Sequence, residues 1–200
     1  MDAAFWNNRY AARHYVDGET PNDFLAALAS HIPAGPVLCL AEGEGRNAVR
    51  LAPLGHQVTA VDQSAAGLTK ARRLAAQRGV ELETVVVDLS DFAITPGAWA
   101  GIVAIFAHLP PVMRRRIHAD AMQGLRPGGM FVLEAYTPAQ LAFATGGPKS
   151  LDLLMDLARL REELTGLEFL IAREIERPVI EGDCHTGRGA VVQILARRPE

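Results

Sequence analysis

The chain has 200 residues, 49% of them apolar, which is enough for one compact domain with a substantial buried core. Its 20 basic and 23 acidic residues nearly balance, which argues against a nucleic-acid or anionic-membrane surface. No apolar run approaches the ~20 residues that span a bilayer, and MDAAFWNNRY is not a signal segment. Cys39 and Cys184 are far apart, so we expect free thiols and a cytoplasmic location.

Strand-like and helix-like segments alternate along the chain, which predicts a doubly wound α/β sheet. Thr20 and Pro21 are predicted to begin a helix that ends near His31, with Thr20 as its N-cap. Further helices are predicted at 46–54, 65–78, 110–124 and 151–164, with Ser64 and Ser150 as N-caps of the second and fourth. Parallel strands are predicted at 37–41, 57–62, 82–87, 99–107 and 130–136.

Two more strands are predicted near 168–176 and 189–197, joined by the turn-rich segment 181–187. Because they are close in sequence, they are expected to pair as an antiparallel hairpin on the otherwise parallel sheet. The expected organisation is a single domain over residues 1–200, in which 1–31 form an N-terminal lid.

The segment VLCLAEGEGRNAV, residues 37–49, is the most informative part of the chain. A buried strand ends there at Gly43 and Gly45, a helix follows, and the next strand ends in Asp62, 19 residues after Gly43. Glycines let a backbone approach a nucleotide, and an acid at this spacing binds ribose hydroxyls. Residues 43–48 also fit the dinucleotide pattern GxGxxA, so the loop alone leaves a nicotinamide-dependent oxidoreductase open.

The charges in this loop favour a different ligand. Glu42 and Glu44 would repel a pyrophosphate but suit the cationic groups of S-adenosyl-L-methionine (SAM). Glu42 is expected near the SAM ammonium group. Arg46 and Asn47 begin the next helix, where exposed amides are expected to meet the SAM carboxylate, although Arg46 equally fits a solvated surface charge.

Other strand ends are expected to bind the adenosine part of the same ligand. Asp88 follows the third strand and is expected to accept a hydrogen bond from the adenine amino group, with the Leu89 amide nearby. Gln63 and Ser64 are expected to line the adenosine, although Ser64 also fits a simple helix cap.

Together with the turn Leu125-Arg126-Pro127-Gly128-Gly129, these motifs resemble class I SAM-dependent methyltransferases over nearly the whole chain. The resemblance implies a Rossmann-like, three-layer α/β/α fold with seven strands and SAM as cofactor. The chain departs from the family pattern at Cys39 and Ala41, where an acid and a first glycine usually stand. A narrower resemblance to the tellurite-resistance (TehB-like) small methyltransferases is carried by Trp6, Arg9, Tyr10, Tyr15, PNDFL, AEGEGRNAVRLA, VTAVDQS, IFAHLP and TGGPK.

The family resemblance places the transferring methyl group near the end of the fourth strand, where His108 is expected to face the acceptor and accept its proton. A backbone-bonding role for His108 is the alternative. Tyr15 is expected to cover the cofactor with its ring near the sulfonium. Glu134, Tyr136 and 145–149 are expected to edge the acceptor pocket.

We expect a small-molecule acceptor, such as a chalcogen oxyanion or a thiol, because motifs of nucleic-acid methylation are missing from the sequence. No metal is expected, because Cys184-His185 has no second ligand pair. No nucleic-acid or membrane partner is expected, and the chain is expected to be a monomer or a homodimer. Two alternatives to a methyltransferase stay open: the nicotinamide-dependent oxidoreductase and a SAM-binding protein without transfer activity.

Overall fold

The computed structural model describes residues 2–143, 145–183 and 185–200. Its strands are β1 (Pro36–Leu40), β2 (Gln57–Asp62), β3 (Glu83–Val86), β4 (Trp99–Ile105), β5 (Leu125–Tyr136), β6 (Glu168–Glu181) and β7 (His185–Arg197). They form one seven-stranded sheet in the order β3-β2-β1-β4-β5-β7-β6. Strands β1 to β5 are parallel, whereas β7 is antiparallel to both β5 and β6. The predicted sheet and its terminal hairpin are therefore confirmed.

Helices cover both faces of this sheet. They are α1 (Ala3–Tyr10), α2 (Asp23–Leu28), α3 (Arg46–Leu51), α4 (Ala65–Gln77), α5 (Pro111–Gly124) and α6 (Leu157–Glu163). Successive strand residues face opposite sides, so Leu38 shares a core cluster with residues of α5 and α6. Cys39 shares another with residues of α2, α3 and α4. Within the described ranges, no helix is long and apolar enough to cross a membrane.

Helix α2 begins later than the sequence predicts. Its N-cap is Asn22, whose side-chain oxygen accepts a hydrogen bond from the Leu25 amide at 3.0 Å. Thr20 lies two residues before this cap, and its carbonyl accepts a hydrogen bond from Arg46 at 3.3 Å. The helix then tightens into a 3-10 turn at Ala29–His31.

The predicted helix at 151–164 is divided in two. A 3-10 turn covers Leu151–Leu153, and α6 begins only after Asp156, which caps it by accepting from the Arg159 amide at 2.9 Å. The division occurs because Leu154 is fully buried in extended conformation and the Met155 amide donates to the Tyr136 carbonyl at 3.0 Å. Anchoring to β5 thus outweighs local helix propensity.

Two strand ends also differ from the prediction, and both lie near the site described below. β4 ends at Ile105 because Phe106 has a left-handed φ of 52°. The hairpin is longer than predicted, since β6 and β7 stay paired as far as Glu181 and His185. Of the predicted turn, 181–187, residues 181 and 185–187 are therefore strand and 182–183 form the turn, while Cys184 lies outside the described residues.

Candidate active site

The carboxyl ends of the parallel strands carry the candidate site. β1 leads into a loop with positive φ at Ala41 (50°), Gly43 (62°) and Gly45 (90°). The left-handed conformation of Ala41 explains why a glycine usually stands here, because an L side chain is strained in it. Phe106, after β4, carries the same kind of strain at the same edge of the sheet.

Asp62, at the end of β2, organises the glycine loop. Its Oδ2 accepts a hydrogen bond from the Gly43 amide at 2.9 Å, and its Oδ1 accepts one from the Ser64 amide at 2.7 Å. Burial raises the pKa of Asp62, while the two amides lower it. Each carboxylate oxygen keeps a second lone pair for a ligand hydroxyl, so ribose binding by Asp62 stays a prediction that this geometry supports.

Ser64 is the N-cap of α4, and its hydroxyl oxygen accepts a hydrogen bond from the Gly67 amide at 3.0 Å. The same hydroxyl donates to Asn7 of α1 at 2.8 Å. The simpler of the two interpretations, a helix cap, is thus the role seen in the structure. Gln63 lies half-buried between Asp62 and Ser64 in the same loop.

One carboxylate oxygen of Glu42 is bound inside the protein. Its buried Oε1 accepts hydrogen bonds from the amides of Asn47 at 2.9 Å and Ala48 at 2.8 Å, so it caps α3. Helix α3 needs this cap because its N-cap residue, Gly45, has no side chain to supply one. Burial raises the pKa of Glu42 to about 7, against the lowering effect of these amides. Helix capping is thus the role seen for Oε1, and the predicted contact of Glu42 with the SAM ammonium stays a prediction.

Glu44 is also used inside the protein. It is 1% exposed. Its Oε1 binds the Lys70 ammonium at 2.5 Å, and its Oε2 accepts from the Asp17 amide at 2.9 Å. Because its charge is already paired with Lys70, Glu44 does not offer a free anion to a cationic ligand. It joins the glycine loop to α4 and to the N-terminal segment instead.

Arg46 and Asn47 are buried at the start of α3, and both have protein partners. Arg46 forms an ion pair with Glu181 of β6, and the Asn47 side-chain oxygen accepts from the Asn22 amide at 3.0 Å. Two backbone amides of this helix are bound to Glu42. The Arg46 amide is not one of these two, so a contact of this helix start with the SAM carboxylate stays a prediction.

The residues after β3 agree better with a ligand-binding role. Asp88 is exposed, and its Oδ1 accepts from the Ser90 amide at 2.7 Å, which leaves Oδ2 open to solvent or a ligand. Leu89 is 6% exposed and belongs to the core. A contact between these two residues and adenine stays a prediction.

The N-terminal segment covers the loop with a different tyrosine from the predicted one. Tyr15 turns to α4, where its hydroxyl donates to the Lys70 carbonyl at 3.3 Å and its ring lies 5.4 Å from the Lys70 ammonium. Tyr10 lies over the glycine loop instead, since a β-carbon on Gly43 would be 2.7 Å from its hydroxyl. Trp6 stacks on Tyr10, with ring centres 5.7 Å apart.

His108 has both ring nitrogens occupied. Nδ1 donates to the Leu153 carbonyl at 2.8 Å, which leaves Nε2 to accept a weak hydrogen bond from the Tyr136 amide at 3.4 Å. Burial lowers the pKa of His108 to about 4. The predicted role as a proton acceptor is therefore corrected to the alternative, a histidine that fixes the backbone.

An aromatic cluster, formed by Phe106, Tyr136 and His185, lies beside His108. The Phe106 ring stacks on Tyr136 at 4.6 Å and on His185 at 5.1 Å, and the Tyr136 hydroxyl lies 3.1 Å from Nδ1 of His185. Gly147 packs on the Tyr136 ring. His185 is not among the site residues predicted from the sequence. Its neighbours in sequence indicate a turn and give no sign that it packs against Phe106 and Tyr136.

Comparison with known proteins gives the family. Residues 37–129, from β1 to the start of β5, match a family model described as a methyltransferase domain. A search of curated proteins finds no match. The chain therefore carries a methyltransferase domain at residues 37–129, and it has the predicted class I SAM-dependent methyltransferase fold. The match ends before most of the aromatic cluster, so it identifies the cofactor part of the enzyme and leaves the acceptor part open.

Several solved structures share the fold of this methyltransferase. One comes from work on the conversion of a disulfide bond into a thioacetal group during echinomycin biosynthesis. It is 20% identical with a TM-score of 0.77, and the match covers 98% of this chain and 92% of that one. TehB from Haemophilus influenzae is 20% identical with a TM-score of 0.71, and the match covers 98% of this chain and 66% of TehB. A SAM-dependent methyltransferase from Methanosarcina mazei is 16% identical with a TM-score of 0.69, covering 86% and 97%.

The residues at the strand ends fit SAM. Gly43 and Gly45 leave the loop backbone bare, and Asp62 retains acceptor capacity beside it. In addition, Oδ1 of Asp17, above the loop, is buried without a hydrogen-bond partner among the described residues. A buried unpaired carboxylate oxygen is the feature that a polar or cationic ligand group would satisfy.

Proposed function

We propose that this methyltransferase transfers the methyl group of SAM to a small molecule that carries a thiol or a chalcogen oxyanion. When bound, SAM supplies a methyl group activated by its positively charged sulfur. Asp62 and the glycine loop would hold the adenosine and amino-acid parts, with Asp88 near the adenine. The single observation that carries the proposal is the aromatic cluster at the same edge of the sheet.

The chemistry of the cluster supports an acceptor that is already a good nucleophile. Both ring nitrogens of His108 are occupied, and burial raises the pKa of the Tyr136 phenol, so neither offers a free base at neutral pH. Such a site can act mainly by orienting the acceptor and excluding water. Polarisable sulfur, selenium or tellurium lone pairs need less activation than a neutral hydroxyl or ammonium group.

His185 is the residue that can assist a thiol. Its Nδ1 lies 3.1 Å from the Tyr136 hydroxyl, and no described residue forms a hydrogen bond with its Nε2. Burial lowers the pKa of His185, so the imidazole is neutral near pH 7 and Nε2 can accept the thiol proton. The echinomycin-related structure, which shares the fold, was itself studied in sulfur chemistry.

The test is methyl transfer from labelled SAM to thiols, selenite and tellurite, with amines and phenols as comparison acceptors. We expect turnover of a thiol or a chalcogen oxyanion. Turnover of amines or phenols alone would contradict the proposed acceptor, and tight SAM binding without any turnover would support a binding protein.

The role of His185 is tested with His185→Gln at two pH values. Below the thiol pKa we expect kcat to fall about 10²-fold, within the usual range for a lost general base. Above the thiol pKa the loss should disappear, because a thiolate has no proton to remove. His31→Gln, at an exposed histidine outside the site, is the matched control. An equal loss at both pH values would show that His185 acts only on structure.

A further inference from the structure

Asp17, between α1 and α2, is held directly above the glycine loop. Its backbone amide donates to Oε2 of Glu44 at 2.9 Å, and its Oδ2 accepts from the Tyr10 hydroxyl at 3.0 Å. A β-carbon placed on Gly43 would lie 3.6 Å from Oδ2 of Asp17. Two hydrogen bonds thus fix both the backbone and the side chain of Asp17 over the bare loop backbone.

The second carboxylate oxygen of Asp17 has no partner. Oδ1 is buried and forms no hydrogen bond with any described residue. Leaving a buried charged acceptor unpaired is unfavourable, so native proteins retain such groups mainly where a ligand or water completes them. The loop acids do not share this property, because Glu42 caps α3 and Glu44 is paired with Lys70.

The neighbours of Asp17 show which part of the site it faces. A β-carbon on Gly43, whose amide donates to the proposed ribose ligand Asp62, would lie 3.6 Å from Oδ2 of Asp17. A β-carbon on Gly182, in the turn that leads to His185 of the aromatic cluster, would lie 2.7 Å from the Cα of Asp17. Asp17 therefore lies close to both the ribose end and the acceptor end of the proposed site. The amino-acid part of SAM, with its ammonium group, is attached between these two positions and would extend over the glycine loop.

We propose that Asp17 is the carboxylate that binds the α-ammonium group of SAM, the role that sequence reasoning gave to Glu42. The inference rests on the proposed cofactor site. A charge-assisted hydrogen bond from the ammonium would satisfy Oδ1, while Oδ2 stays bound to Tyr10. Recognition of the cofactor's amino-acid end then depends on the N-terminal segment as well as on the loop.

Three ligands distinguish this contact from its alternatives. SAM carries both a sulfonium and an ammonium, S-adenosylhomocysteine keeps only the ammonium, and 5′-methylthioadenosine has neither. The measurement is calorimetric titration of each ligand into the wild type and Asp17→Asn. Asparagine keeps an oxygen that can accept from Tyr10 and leaves the backbone bond to Glu44 intact, so the fold should be preserved.

We expect Asp17→Asn to raise the Kd of SAM and of S-adenosylhomocysteine about 10- to 100-fold, the range of a hydrogen bond to a charged group. The Kd of 5′-methylthioadenosine should stay within twofold. The matched control is Glu19→Gln, which removes an exposed acid two residues away that pairs with Arg78. It should leave all three Kd values unchanged.

Each other pattern overturns the proposal. Weaker binding of SAM alone would assign Asp17 to the sulfonium, and weaker binding of all three ligands would show a general effect on the loop. No change in any Kd would remove Asp17 from the site. If the wild type bound none of the three ligands, the cofactor site itself would fail, which is a separate result from the failure of Asp17.

Discussion

At the scale of single residues, the two glutamates of the glycine loop form hydrogen bonds and an ion pair within the protein. Glu42 lies where the sequence predicts a cation contact, yet its carboxylate stabilises the first turn of α3. A charged residue beside a glycine motif can therefore be a helix cap, so its charge does not by itself indicate the charge of a ligand. The acid with an unpaired oxygen, Asp17, lies 26 residues before Gly43.

The raised pKa of Glu42 leads to a prediction about pH. An acid whose pKa is raised in the folded protein stabilises it while protonated, and this contribution is lost as the pH rises from about 4.5 through about 7. Glu42→Gln keeps an oxygen acceptor without the charge. Its free energy of unfolding relative to wild type should therefore rise by about 2 kcal/mol between pH 5 and pH 8.

Urea unfolding of both proteins at the two pH values measures this difference. Glu81→Gln, at an exposed acid, is the control and should show no such change. A Glu42→Gln difference that is the same at pH 5 and pH 8 would contradict the protonation of Glu42 in this range.

At the scale of elements, the site depends on close packing between α3 and α4. Gly45, the N-cap of α3, has a φ of 90°, and a β-carbon there would lie 2.5 Å from the β-carbon of Ala71 in α4. The glycine is thus required twice, by backbone conformation and by contact with the neighbouring helix. This contact brings Ser64 and Lys70 of the α4 region to the loop.

Two alanine substitutions separate these requirements. Gly55 has nearly the same φ, 89°, but a β-carbon there would meet nothing within 4 Å. Gly55→Ala should cost about 1–2 kcal/mol of unfolding free energy, the strain of the left-handed conformation. Gly45→Ala should cost about 1–3 kcal/mol more, because the added methyl group forces the helices apart.

Chemical denaturation measures both substitutions, and SAM titration should show weaker binding only for Gly45→Ala. Equal losses of stability would mean that α3 and α4 separate freely and that packing does not hold the loop.

At the scale of the whole molecule, a buried polar network joins distant parts of the chain. Glu134 of β5 and Glu181 of β6 both bind the Arg177 guanidinium, and both accept from the Asn22 side chain, at 3.0 Å and 2.7 Å. Arg46 also pairs with Glu181. The network thus connects the N-terminal segment, the helix after the glycine loop, and the terminal hairpin.

Arg177→Met should be strongly destabilising, because it removes the cation bound to buried Glu134 and leaves Glu181 paired with Arg46 alone among the described residues. We expect a loss of about 3–5 kcal/mol in the free energy of unfolding. Arg188→Met breaks an exposed pair with Glu176 on the same hairpin and should cost about 1 kcal/mol or less. Urea unfolding compares the two, and a similar small loss for both would contradict a stabilising role for the network.

The sequence by itself determined the elements whose signals are local. The strand at 57–62, the Ser64 cap, the glycine loop and the terminal hairpin follow from apolar periodicity and turn residues, and the structure has all of them. The methyltransferase prediction follows from the same loop, although Glu42 and Glu44, whose charges favoured SAM, have partners inside the protein. Prediction failed at 151–164, where the anchoring of Met155 to β5 interrupts a helix that local propensity favours.

Only the tertiary structure decided which side chains are available to a ligand. Glu42, Glu44, Arg46 and His108 fit binding or catalysis by residue type, but each is bound by groups brought to it by folding. Asp17 and His185 carry no local signal, and they reach the site because the N-terminal segment and the hairpin close over the sheet edge. Secondary structure depends mainly on neighbours in sequence, whereas a free lone pair depends on every neighbour in space.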